Sequence, residues 1–253
     1  MATKHPKGLK PLFFTEMWER LGFYLIVGIL YLYIIDTERG GLGMSNASAG
    51  EIYGTYLAFV YFTPFLGGMI ADRFLGYRRS VFIGGILMSA GLFLMGVPGV
   101  TFFVVGLVLL VVGNGFFKPN ISVMVGNLYP EGSPLKDNAF NIFYMGINVG
   151  ALFAPFAAEG LRQTLGWSWA FGASAVGMLI SLAIFQTFKR HILHAEISHS
   201  DESVVEVNEI SPQESKQRVL ALITIFAIVV VFWMSFHQNG FTLTLWARDN
   251  TSE

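Results

Sequence analysis

Long apolar runs separated by short polar joints dominate the pattern of this chain. Seven such runs lie at residues 12–35, 50–71, 80–98, 101–125, 139–158, 166–188 and 218–246. A helix needs about 20 mostly apolar residues to cross roughly 30 Å of hydrocarbon, and each run meets or approaches that length. None alternates with the period of two expected of an outer-membrane strand. The pattern therefore predicts an all-α membrane protein with seven spans. Connections are short except at 189–217, where "HSDESVVEVNEISPQES" lacks a long apolar run and reads as a solvated linker. The expected organisation is a six-helix bundle over 1–188, a cytoplasmic linker over 189–217, and helix 7 within 218–253, opening a second bundle.

Composition narrows the class further. Hydrophobic residues make up 53% of the 253 and charged ones 13%, with a mean hydropathy of +0.56. Soluble domains carry about 25% charged residues. The 28 glycines suit helices that approach one another closely in lipid. There is no cysteine, which excludes disulfides, thiol chemistry and zinc–cysteine sites. The basic start "MATKHPKGLKP" precedes an apolar run too long for a signal-peptide core, so it reads as a retained first helix.

Lysine and arginine set the orientation. With a cytoplasmic N-terminus, Lys4, Lys7, Lys10, Arg73, Arg78, Arg79, Lys136, Lys189, Arg190, Lys216 and Arg218 lie inside. Only Arg39, Arg162 and Arg248 lie outside. That asymmetry follows the positive-inside rule and predicts a multi-pass protein of the cell (inner or plasma) membrane with its N-terminus in the cytoplasm.

The remaining two cations fall inside the membrane, and with them the candidate chemistry. "FFTEMWERLGFY" places Glu16, Glu19 and Arg20 in the first span. At i, i+3 and i+4 they share one helix face, with Tyr24 a turn further on. Each intramembrane charge costs roughly 2.5–3.5 kcal/mol on insertion scales, so the trio should face a polar cavity or a partner. Lys118 in "GNGFFKPNIS" lies at similar depth on helix 4 and is the candidate partner, with Pro119 expected to kink that helix or free a carbonyl. Two carboxylates and two cations sum to zero, and protonating one Glu would free a cation. The cluster thus reads either as a proton-linked switch or as a static salt-bridge network.

Other polar residues are less specific. Asn141, Tyr144 and Asn148 form a stripe on helix 5, readable as interhelical hydrogen-bond glue or as part of a site. Of Tyr53, Tyr56 and Tyr61 on helix 2, Tyr53 reads as an interfacial belt residue and Tyr61 as facing a cavity. His237, followed by Gln238 and Asn239, is the membrane-depth histidine of helix 7, readable as a core residue or a proton site. No metal cluster, nucleophile elbow or phosphate loop points to an enzyme, and nothing points to nucleic acid. "ADRFLGYRR" after helix 2 and "AEGLRQTLGWSW" after helix 5 form a weak internal echo of three-helix repeats.

Taken together, these segments resemble a known family. "GGMIADRFLGYRR" is similar to the cytoplasmic signature of the major facilitator superfamily, carried here by Gly68, Asp72, Arg73, Arg78 and Arg79. In that reading Asp72 accepts hydrogen bonds from a neighbouring helix end. Glu16-Met17-Trp18-Glu19-Arg20, "GNGFFKPNISVMVGNLY", "FYMGINVGALFAP" and "FWMSFHQNG" resemble the helix 1, 4, 5 and 7 motifs of proton-dependent oligopeptide transporters.

The resemblance implies a major facilitator superfamily N-terminal six-helix bundle plus linker and seventh helix. It also implies proton-coupled symport of di- and tripeptides by alternating access, with protons the coupling ion and no other cofactor. Glu16, Glu19, Arg20 and His237 would couple protons. Arg20, Tyr24, Tyr61, Lys118, Tyr144, Asn148 and Gln238 would bind substrate. The partners implied are the peptide, the lipid bilayer and a C-terminal half or partner chain, because the family has at least twelve helices and its site lies between two halves. Departures are Leu21-Gly22-Phe23-Tyr24, which lacks one pocket hydroxyl, and His237, where the family usually has an acid. A relative carrying nitrate or another anion, and a non-transporting scaffold or remnant, are the competing expectations.

Overall fold

The computed structural model describes residues 4–196, 211–236, 238 and 242–251. It divides into two units, Met1–Ile197 and Ser198–Glu253. The first unit contains α1 (Leu9–Ile35), α2 (Asn46–Ile70), α3 (Tyr77–Met95), α4 (Val100–Asn127), α5 (Lys136–Leu165) and α6 (Trp167–Thr187). A π-helical turn at Ala71–Leu75 extends α2, and two 3-10 turns, Lys189–His191 and Leu193–Ala195, follow α6. The second unit contains α7 (Pro212–Phe236) and α8 (Thr242–Asn250). Seven helices among the described residues are long and apolar enough to span a membrane.

The single run expected at 218–246 is two helices. The first ends at Phe236 and the second begins at Thr242. At its other end α7 begins within the stretch expected to be linker. Pro212 needs no amide partner in a first turn, and the Ser211 hydroxyl accepts from the Glu214 amide at 3.2 Å, an N-cap.

Within the first unit α1 packs on α5 and α6, while α4 packs on α2 and α3. Lipid supplies no hydrophobic drive between helices, so close van der Waals approach and hydrogen bonds hold them. The α3–α4 pair shows why glycine is required. A Cβ on Gly84 or Gly113 would stand 2.6 Å from the carbonyl oxygen of the other, and Gly91 and Gly106 repeat the contact at 2.7 Å. The α2–α4 crossing is tighter still, since a Cβ on Gly67 would fall 2.0 Å from the Gly115 oxygen. Pro119 has no amide to donate to that carbonyl. The Pro119 effect is therefore a carbonyl freed at a helix crossing, within an α4 that runs unbroken. Thr63 Oγ1 donates to the Val111 carbonyl and Asn114 Nδ2 to the Val60 carbonyl, each at 2.9 Å, fastening the same crossing.

At the end of α1, Asp36 folds the following loop. Its carboxylate accepts from the Trp167 indole at 2.8 Å and from the Gly41 and Arg39 amides at 3.0 and 3.1 Å. Partial burial pushes this carboxyl up. The Trp167, Gly41, Glu38 and Arg39 hydrogen bonds outweigh burial and hold it below the usual carboxylate range.

Tyr53, expected at the interfacial belt, is buried edge-on against Tyr31, with ring centroids 6.4 Å apart.

Candidate functional site

Glu16, Glu19 and Arg20 are only 2%, 1% and 3% exposed, so all three charges sit inside the bundle. Helical spacing brings them together, and the Arg20 guanidinium bridges both acids. Its Nε lies 3.1 Å from Glu16 Oε1 and also contacts Glu19 Oε2, while Nη2 donates to Glu19 Oε1 at 2.6 Å. The guanidinium carbon lies 4.7 Å from the Phe23 ring centroid. The α5 backbone presses on this turn, since a Cβ at Gly150 would stand 2.5 Å from the Met17 carbonyl and 3.1 Å from Arg20 Cβ.

The two carboxylates of the trio meet a counter-charge within α1 itself, on Arg20. Beside Glu19 lies a void of about 10 Å³, lined mainly by Tyr56, Met88, Leu92, Leu110 and Met178, which holds one water at most. Because Arg20 satisfies most of the carboxylate oxygens, the bundle can close over them. Glu16 Oε2 and Thr15 Oγ1 remain buried without a hydrogen-bond partner. Two carboxylates therefore share one guanidinium, and the trio becomes neutral when one carboxylate takes a proton.

Lys118 makes no ion pair with Glu16 or Glu19 among the described residues. Its Nζ lies instead 5.1 Å from the centroid of the half-exposed Tyr61 ring, a cation–π contact. Lys118 and Tyr61 thus meet across the α2–α4 crossing that Gly67, Gly115 and Asn114 bring close. Tyr24 is half-buried, with its ring 5.4 Å from that of Phe23. Asn141, Tyr144 and Asn148 are all exposed along α5. That stripe therefore fastens no helix within this unit. In the second unit Gln238 donates to the Met234 carbonyl at 3.2 Å and accepts from Thr242 at 2.6 Å. His237 lies outside the described residues.

In the loop before α3, Asp72 and Arg73 are exposed. Asp72 stands close enough to the hydroxyl of Tyr77, the first residue of α3, to interact with it electrostatically. The free amide of Arg78 goes elsewhere, to Glu196 Oε2 at 2.9 Å. This glutamate sits against Gly76, whose φ of +77° and lack of a Cβ admit its carboxylate. Gly68 has more room, its nearest neighbour being Pro119 at 3.8 Å.

Sequence reasoning missed Glu196 as the cap of α3, because nothing local links it to a loop 118 residues earlier. Asn114 carried a signal, an amide side chain inside an apolar span.

The family model of the POT family matches residues 78–210. The chain belongs to the POT family. A peptide transporter of Yersinia enterocolitica is 39% identical over 93% of this chain and 46% of its own length. A di-/tripeptide transporter of Lactococcus lactis is 38% identical over 91% of this chain and 46% of its own. A solved POT family transporter in complex with 5-aminolevulinic acid superposes with a TM-score of 0.75 at 30% identity, covering 98% of this chain and 50% of that one. The chain spans about half the length of the curated relatives it matches. With its seven spans and these relatives, this POT chain is an integral, multi-pass membrane protein.

Proposed function

We propose that this POT chain supplies the proton-coupling and carboxylate-binding side of a proton-coupled symporter of di- and tripeptides. The observation that carries it is the buried Glu16–Glu19–Arg20 trio, in which two carboxylates share one guanidinium and Glu16 Oε2 has no partner. A proton on one carboxylate neutralises the trio and loosens its hold on Arg20, which can then turn to a substrate carboxylate. Lys118 supplies a second cation that no carboxylate of the trio occupies. Asn148 and Tyr144 supply polar groups on α5 for the rest of the peptide, and Tyr24 on α1 and Tyr61 on α2 add hydroxyls. A free peptide carries a carboxylate and an ammonium, so it needs a cation and an acceptor set apart in one cavity. Protons are the coupling ion, with no other cofactor.

The opposite wall would come from a further bundle, in a longer chain or a partner. Two observations support this. α2 and α5 bury the smallest shares of their spans, 22% and 28%, against 44% or more for the other four helices of the unit. Those are the helices that carry Tyr61, Tyr144 and Asn148. The lysine and arginine asymmetry supports a cytoplasmic N-terminus in the cell membrane.

The test uses the longest native product that contains this chain, in proteoliposomes. Glu19→Gln should abolish proton-driven uptake of dialanine while exchange of labelled for unlabelled peptide continues. Proton-driven uptake at the normal rate would refute the coupling role.

A further inference from the structure

Between the start of α3 and the end of α6 lies a cleft of about 250 Å³, lined by Arg78, Arg79, Phe82, Ile83, Gln186 and Lys189. We propose that this cleft binds an anionic phospholipid, its phosphate held by Arg79, Lys189 and Arg78 and an acyl chain laid on Phe82 and Ile83.

The cleft has the two-part chemistry of such a ligand. Three cations stand at its rim, and of these Arg78 alone has an acid within ion-pair distance among the described residues, Glu196 at 3.9 Å. No acidic side chain pairs with Arg79 or Lys189 among the described residues. Placement fits as well. Arg78 and Arg79 are in the first turn of α3 and Lys189 follows the last turn of α6, so the cations lie where the spans leave the hydrocarbon. Above them the cleft opens onto exposed apolar side chains, Ile83 and Ile86 on α3 and Leu179 and Val176 on α6. That strip offers a track for an acyl chain. Basic pockets between membrane helices suit anionic headgroups in this way, and arginine binds phosphate oxygens bidentately. A free phosphate would use the rim and leave the apolar floor idle, which favours the lipid. The binding requires no transport, so its failure would leave the symport reading untouched.

Titrating phosphatidylglycerol into the detergent-solubilised chain, followed by native mass spectrometry, tests this directly. Lipid adducts should form in preference to those of phosphatidylcholine. Each cation near an anionic phosphate is worth about fivefold in affinity, so R79Q/K189Q should weaken binding about 30-fold. R79K/K189R should retain it. K10Q/K136Q, the same charge change elsewhere, should stay within about threefold. Circular dichroism checks that each variant is folded; should R79Q/K189Q lose helix, R79Q alone should show the fivefold loss. The proposal is overturned if phosphatidylcholine binds as well or R79Q/K189Q binds unchanged. Displacement of the lipid by millimolar inorganic phosphate would also overturn it, making this a free-anion site. So would binding that appears only after D201N/E202Q/E206Q/E209Q, which would mean that the chain's own acidic segment occupies the cleft.

Discussion

Replacing Arg20 with glutamine strands two buried carboxylates. In the native bundle the guanidinium makes three contacts with them, one to Glu16 and two to Glu19. A hydrogen bond to a charged group contributes about 1.5–3 kcal/mol net, so three independent bonds would sum to about 5–9 kcal/mol. They are not independent, because they share one cation. Breaking a buried pair by removing one partner costs about 3–5 kcal/mol, and that is the magnitude expected for Arg20→Gln. The charge argument makes a second demand. E16Q/E19Q/R20Q carries neither the acids nor the cation, so it should lie within about 2 kcal/mol of the native chain. The assay is reversible unfolding of the chain in mixed micelles by added dodecyl sulfate, followed by circular dichroism. A triple variant as unstable as Arg20→Gln would refute the reasoning, since Arg20 would then act through its packing on Phe23 and α5. A fully stable Arg20→Gln would refute it equally.

Two further outcomes follow from the packing and the outer loop. Gly113→Ala places a methyl 2.6 Å from the Gly84 oxygen and should destabilise the same unfolding transition by about 1–3 kcal/mol. Gly28→Ala, with nothing within 4 Å, should stabilise by up to about 1 kcal/mol. Equal effects from the two would remove the close-approach argument. Asp36 has its folded pKa depressed, so its contribution is fully present above the unfolded value near 4 and is lost as pH falls through the folded one. Asp36→Ala should therefore lower the unfolding midpoint at pH 7 and lessen the loss of stability below about pH 4; an unchanged acid limb would contradict the role given to Asp36.

What the sequence determined by itself was whatever depends on run length and composition. Seven apolar runs predicted the spans because a bilayer imposes one length on every crossing helix. The adjacency of Glu16, Glu19 and Arg20 was legible for the same local reason, since positions three and four residues apart on a helix share a face. The four helix motifs pointed to the POT family. Tertiary structure alone decided what meets across helices. It placed Lys118 over Tyr61 rather than in the acid cluster, because the Gly67–Gly115 crossing sets which faces of α2 and α4 approach. It buried the trio inside the bundle, where the sequence left a polar cavity or a partner open, since one guanidinium between two carboxylates meets most of their need for hydrogen bonds. It also gave the Arg78 amide to Glu196, a partner from the segment after α6. No periodicity encodes such pairs. They depend on the rotation and depth of each helix, which many small close contacts fix together.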